Sequence, residues 1–213
     1  MKIGAKICGV STEAAVRVAL DGGAGGLGFM LFAASPRNLS LDAAARLAQP
    51  ARGRAKVVAV TVDPDDGEVD RIAEVLAPDL IQLHGKETPA RALEIARRAG
   101  VGVIKALPVA DTDDIARAGA YETVVEHLMF EGKPPKDAAL PGGSGHGFDW
   151  TLLAGRRFQR PWFLAGGLDP WSVGEAVSQS GAPLVDVSSG VERGPGLKDP
   201  ALITAFLDAV RRA

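Results

Sequence analysis

Short runs of β-branched and apolar residues alternate with stretches rich in Ala, Arg, Glu and Leu along the whole chain. The apolar runs predict strands near residues 3–8, 26–31, 56–62, 79–83, 101–107, 123–130, 162–165 and 184–188. The stretches between them predict helices over Thr12–Asp21, Leu41–Ala48, Gly67–Leu76, Pro89–Ala99, Pro170–Ser178 and Leu202–Arg212. Ser11 and Ser40 stand where a side-chain oxygen caps a first turn, and the prolines stand where a missing N–H costs nothing. The last helix ends in arginines, which the helix dipole favours. The strands read as nearly continuous apolar runs, as expected when helices cover both faces of a parallel sheet. Eight strands in 213 residues leave about 27 residues for each repeat, the size of one βα step. An open doubly wound sheet usually has fewer strands and a glycine fingerprint after the first. Here that strand ends Lys6-Ile7-Cys8-Gly9 instead. The pattern therefore predicts an α/β fold, a (β/α)8 TIM barrel forming one domain over residues 1–213. Residues 132–147 hold Pro134, Pro135, Pro141 and several glycines and predict a long, functional loop after strand six.

Polar residues interrupt these apolar strands near their C-terminal ends. Residues two apart share a face of a strand. Lys6 and Cys8, Gln82 and His84, Met129 and Glu131, and Asp186 and Ser188 form such pairs, and Lys105 adds a lone charge. Burying an unpaired polar group costs several kcal/mol, so polar residues on five strands at one end predict a shared pocket. In a barrel that end carries the substrate. Glycine-rich turns at Ala165-Gly166-Gly167 and Ser188-Ser189-Gly190 fall after strands seven and eight, the usual phosphate site of this fold. Gly142-Gly143-Ser144-Gly145 adds further backbone amides. None of these turns matches the Walker pattern, so a nucleoside triphosphate is not expected.

Composition narrows the class. Net charge is −2, with 46% hydrophobic and 23% charged residues, which supplies no field to draw nucleic acid or an acidic membrane. One cysteine excludes an intrachain disulfide and suits a reducing cytoplasm. Met1–Gly9 lacks the apolar core of a signal peptide, and no apolar run reaches the ~20 residues of a membrane span. The three histidines, His84, His127 and His146, are not at metal-ligand spacing. A cytoplasmic enzyme on a small phosphorylated molecule is expected, without a metal, as monomer or homodimer.

Several short motifs, in order along nearly the whole chain, carry a family resemblance. They are Lys6-Ile7-Cys8-Gly9, Leu27-Gly28-Phe29 with Ser35-Pro36-Arg37-Asn38, Gln82-Leu83-His84-Gly85, Gly142-Gly143-Ser144-Gly145 with Phe148-Asp149-Trp150, and Leu164-Ala165-Gly166-Gly167-Leu168. Asp186-Val187-Ser188-Ser189-Gly190-Val191-Glu192 and Gly196-Leu197-Lys198-Asp199 complete the set. Together they resemble phosphoribosylanthranilate isomerases.

The resemblance implies an Amadori rearrangement without metal or organic cofactor, in which an acid opens the ribofuranose to a Schiff base and a base removes the C2′ proton. Cys8 stands at the family's base. An ordinary thiol is mostly protonated at neutral pH, so a neighbour such as Lys6 or a helix N-terminus is expected to favour its thiolate. At the end of strand six the family has an aspartate, and this chain has Glu131, one methylene longer. Asp137 and Glu126 are the fallback acids. Arg37 is implied to bind the anthranilate carboxylate, a task suited to its planar fork. Asp186 lies near the anthranilate or pairs with Lys6 or Lys105. Gln82 and His84 fall at substrate-side positions, with no proton transfer given to His84. Gly143, Gly145, Gly166, Gly167, Ser188, Ser189 and Gly190 are implied to hold the phosphate. Ser144 and Ser172 stand where the family often has threonine and asparagine. Two other readings remain: a different phosphosugar barrel working through Lys6 or Lys105, and a non-catalytic phosphosugar-binding descendant, favoured only by the change at 131.

Overall fold

The computed structural model describes residues 3–133 and 147–213. Eight parallel strands close into a barrel in chain order: β1 Gly4–Cys8, β2 Gly26–Met30, β3 Lys56–Thr61, β4 Leu80–Leu83, β5 Gly102–Val109, β6 His127–Gly132, β7 Trp162–Leu164 and β8 Leu184–Val187. β8 pairs back onto β1, with Lys6 opposite Asp186. The outer layer holds α1 Glu13–Asp21, α2 Leu41–Ala48, α3 Asp66–Arg71, α4 Pro89–Ala99, α5 Thr112–Ala116, α6 Val173–Ser180 and α7 Pro200–Arg212. A short 3₁₀ turn, Trp150–Leu153, precedes β7.

The chain's own capping chemistry explains most helix starts and shifts some by a residue or more. Thr12, not Ser11, caps α1 by accepting from the Ala15 N–H. Asp65 and Glu68 form a reciprocal capping box that starts α3. Asp199 and Pro200 start α7 two residues before the apolar period becomes visible. α5 is absent from the sequence expectation because five residues are too few to show a period. Asp111 nevertheless caps it, accepting from the N–H groups of Asp113 and Asp114. Residues 117–120 form a 3₁₀ turn, so β6 begins at His127 rather than 123. A hairpin, β9 Glu192–Gly194 and β10 Leu197–Lys198, follows β8; its strands are too short to show a strand pattern.

Alternation along each strand divides the core in two. Ile7, Phe29, Ile81, Leu83 and Phe130 face outward and pack against helices. Cys8, Val58, Val60, Leu80, Ile104, Ala106, Met129 and Phe163 fill the barrel interior. Each fully buried large apolar side chain contributes about 1.5–3 kcal/mol.

This alternation corrects one expectation. Ile104 and Ala106 point inward, so Lys105 between them faces the helix layer. It leaves the polar pocket and pairs with Glu87 at 2.7 Å, donating also to the Gly85 carbonyl at 2.7 Å. Glu87 in turn accepts from the backbone of Asp63 and Gly85, which ties the β3 and β4 loops together. Both side chains are almost fully buried. Removing one partner of such a pair costs about 3–5 kcal/mol. Lys105→Met is therefore expected to lower unfolding stability by about that much in urea titration. Lys105→Met with Glu87→Leu, which leaves no orphan charge, is expected to recover part of the loss.

Candidate active site

The inward side chains at the C-terminal ends of the strands meet in one cavity. Cys8 from β1, His84 beyond β4, Glu131 from β6, and Asp186 and Ser188 from β8 line it. Arg37 and Phe32 line it from the loop after β2, and Gly166, Gly167 and Ser189 from the loops after β7 and β8.

Cys8 is 4% exposed and shares its space with Lys6. A Cβ placed on Gly28 of β2 would lie 2.9 Å from the Cys8 sulfur and 3.3 Å from the Lys6 Nζ. Only glycine at 28 leaves room for both groups. Lys6 donates to the Asp186 carboxylate at 2.6 Å. Burial alone would discharge Lys6, but Asp186 and the nearby sulfur hold its pKa above the ordinary value. Burial pushes the Cys8 thiol up; Lys6 pulls it down, Asp186 pushes it up and Lys198 pulls it down, leaving it raised overall. Lys6 thus favours the thiolate as expected, but burial outweighs it. The cations are present, but each is neutralised by its own carboxylate, and desolvation wins.

On the opposite strands, the Glu131 carboxylate lies 2.5 Å from the His84 Nε2. Gln82, fully buried beneath, lies 2.9 Å from the other ring nitrogen, Nδ1. Burial would lower the His84 pKa, but Glu131, in direct contact, raises it overall, with smaller opposing contributions from Asp186 and Lys6.

Arg37 is 6% exposed and is held, not free. Its Nε and Nη2 donate to the two oxygens of Glu192 at 2.7 and 2.8 Å. Lys198 donates to Glu192 at 2.6 Å and to the Ser188 carbonyl at 2.8 Å. Burial would raise the Glu192 pKa, but Arg37 and Lys198 hold it low. The Arg37 stem also packs on Gly9, whose φ of +73° and closeness to that stem exclude a side chain there.

Comparison with known proteins decides the family. The family model for N-(5′-phosphoribosyl)anthranilate (PRA) isomerase matches residues 5–209. The chain belongs to that family. It is 64% identical over 211 residues to the N-(5′-phosphoribosyl)anthranilate isomerase of Caulobacter vibrioides, covering 99% of this chain and 96% of that one. Against the same-named protein of Parvibaculum lavamentivorans identity is 48% over 215 residues, covering both chains fully. The fold superposes on the crystal structure of phosphoribosyl anthranilate isomerase from Thermotoga maritima with a TM-score of 0.88 at 31% identity, covering 99% of this chain and 100% of that one. A crystal structure of such an isomerase in complex with reduced 1-(o-carboxyphenylamino)-1-deoxyribulose 5-phosphate matches with a TM-score of 0.85 at 29% identity, over 99% of this chain and 100% of that one.

The barrel gathers most of the residues singled out in the sequence around the cavity. Gln82 supports His84 from below and does not line the cavity. Gly190 also stays out of the lining: a Cβ there would run into the Leu168 carbonyl, so this glycine lets the β8 loop close against the β7 loop. Gly166 and Gly167 line the cavity with φ of +82° and +72°. Glu126 precedes β6 at the far end of the barrel from Glu131 and is no substitute acid. Gly143, Ser144, Gly145 and Asp137 lie outside the described residues. Ser172 accepts from the Asp169 N–H and braces the turn into α6. Glu192 and Lys198 received no role from the sequence, although both stood in quoted motifs. The hairpin brings them to Arg37 and Ser188 of the cavity wall. No helix among the described residues is long and apolar enough to cross a membrane.

Proposed function

We propose that this chain catalyses the Amadori rearrangement of N-(5′-phosphoribosyl)anthranilate to 1-(2-carboxyphenylamino)-1-deoxyribulose 5-phosphate, a step of tryptophan biosynthesis, with Cys8 as base and Glu131 as acid. The observation that carries this reading is convergence: a thiol from β1 and a carboxyl from β6 line the same cavity as the glycine turns after β7 and β8. The working unit is the single barrel domain of residues 1–213, in a reducing cytoplasm that keeps Cys8 a thiol.

Glu131 gives its proton to the ribose ring oxygen as the C1′–O bond breaks, and the amine lone pair forms the C=N bond of the Schiff base. Cys8, as thiolate, takes the proton from C2′, and the electron pair flows through C1′ to nitrogen, giving the enolamine. That species tautomerises to the ketone. Protons taken up and given back cancel and nothing is oxidised or reduced overall, so the balance needs no redox cofactor. A raised thiol is a small thiolate population of high basicity, a workable combination for carbon acid chemistry. The Gly166, Gly167, Ser188 and Ser189 turns serve the 5′-phosphate, in keeping with the usual phosphate position of this fold. Arg37 serves the anthranilate carboxylate through its Nη1, which makes no bond among the described residues, while Glu192 fixes its plane. Asp186 acts first on Lys6, which it bonds directly.

The test is turnover of phosphoribosylanthranilate formed in situ, followed by loss of its fluorescence. Turnover by the purified protein supports the reading. An inert protein that still binds a reduced product analogue makes the chain a binding-only descendant and overturns it.

A further inference from the structure

The longer acid of this chain reaches a partner that gives the site a second place for its proton. We propose that Glu131 and His84 act as one proton-sharing pair, with His84 the positioning residue that keeps a proton at the acid site and Gln82 its support. The proposal rests on Glu131 being the acid, and it deepens that reading. Glu131 is 5% exposed, and its carboxylate oxygen and the His84 Nε2 lie 2.5 Å apart. At that distance an imidazolium and a carboxylate form a close ion pair. A buried imidazole stays charged beside a carboxylate only if its other nitrogen is also provided for. Gln82 provides for it in either state. As placed, its Nε2 lies 2.9 Å from His84 Nδ1, an arrangement that suits a neutral ring accepting at Nδ1. Its Oε1, like the His84 Nε2 that touches Glu131, is buried without an aligned hydrogen-bond partner among the described residues. Rotation of the amide by half a turn exchanges the two atoms and presents Oε1 to an Nδ1–H, as an imidazolium requires. Buried polar atoms are almost always satisfied, and service to both protonation states of its neighbour accounts for the unpartnered oxygen.

The pair's surroundings set the direction. Among the described residues the charged and titratable groups acting on His84 are Glu131 from β6, Asp186 from β8 and Lys6 from β1, and Cys8 and Arg37 line the same cavity. Burial disfavours the imidazolium and Glu131 favours it, with a net upward shift. A lone carboxyl ordinarily keeps its proton only to about pH 4, whereas an imidazole keeps it to about 6.5. A pair holding one proton between them therefore offers it at higher pH than a lone carboxyl. After ring opening takes the proton, the neutral His84 ring and the Glu131 carboxylate remain, and solvent restores the proton before the next turnover.

The acid's flank of the kcat/KM–pH profile is the one that Glu131→Gln abolishes. His84→Gln, which keeps a hydrogen-bonding group but cannot take a charge, is expected to move that flank down by one pH unit or more. Glu131→Asp in the same background, with its carboxyl drawn back from position 84, is expected to show little further movement. NMR of the imidazole nitrogens covers the case in which a variant folds poorly. In the native protein, one of three histidines is expected to titrate above the ordinary range, and to titrate lower in Glu131→Gln. A flank unmoved in His84→Gln, with only a uniform fall in rate, or a His84 ring that titrates identically with and without the Glu131 carboxyl, overturns the pairing. Neither result touches the assignment of Glu131 itself. Full activity in Glu131→Gln overturns that assignment and the pairing with it.

Discussion

Cys8→Ala should cut kcat by about 10³- to 10⁴-fold, near the upper end of what a positioned base contributes, while leaving the fold and the binding of a reduced product analogue intact. The thiol sits over Gly28 and beside Lys6, with room for one sulfur and little else. Alanine removes the thiol assigned to take the C2′ proton and leaves a small void. The loss should therefore fall on kcat rather than KM, as expected for an interaction made in the transition state. The environment of the thiol adds a signed expectation. Cys8 is raised by burial and drawn back by Lys6. Removing the cation together with its counter-charge, in Lys6→Met with Asp186→Asn, leaves burial dominant and pushes the thiol higher still. The rate at neutral pH should then fall, and part of it should return as pH rises and more thiolate forms. Stopped-flow fluorescence across pH, with analogue binding as control, reads both effects. A Cys8→Ala enzyme within tenfold of native would remove Cys8 from the mechanism.

The second large effect belongs to Glu131. Glu131→Gln keeps the length and shape of the side chain and removes its proton. It should lose at least about 10²-fold in kcat, the lower bound for a general acid. Glu131→Asp restores the family's usual carboxyl but retracts it by one methylene from His84, now 2.5 Å away. A displacement of about 1 Å can cost about 10²-fold, so this variant should fall between native and Glu131→Gln. If Asp equals or exceeds the native enzyme, the extra methylene contributes nothing and the contact with His84 is incidental to the rate.

Much of this site was legible because strand alternation is rigid. Cys8, His84 and Asp186 each stood two residues from another polar group near a strand end, Glu131 stood at the same end of its strand, and a barrel turns such positions into one cavity. The same rule read one step wrong put Lys105 in the pocket. Its neighbours Ile104 and Ala106 point inward, so the lysine points out, and its partner Glu87 lies 18 residues away in sequence. Register was invisible as well. Lys6 and Asp186 face each other only because the barrel closes β8 onto β1 across 180 residues. The Arg37–Glu192–Lys198 chain depended on the β9–β10 hairpin, whose two short strands leave no periodic trace. Gln82 looked like a substrate contact because a polar residue inside a strand reads alike whether it faces a ligand or props a neighbour. Helix ends moved where an aspartate or threonine oxygen, rather than the apolar period, fixed the first turn.

The central claim is that the C2′ proton leaves to Cys8 after Glu131 has opened the ring. Substrate carrying deuterium at C2′ tests it most directly, by following the appearance of deuterium in solvent for the native enzyme, Cys8→Ala and Glu131→Gln under matched saturation. The account predicts release with a primary isotope effect in the native enzyme, almost none in Cys8→Ala, and slow release in Glu131→Gln because little Schiff base forms. Release from Cys8→Ala at the native rate would contradict it and place the base elsewhere in the cavity.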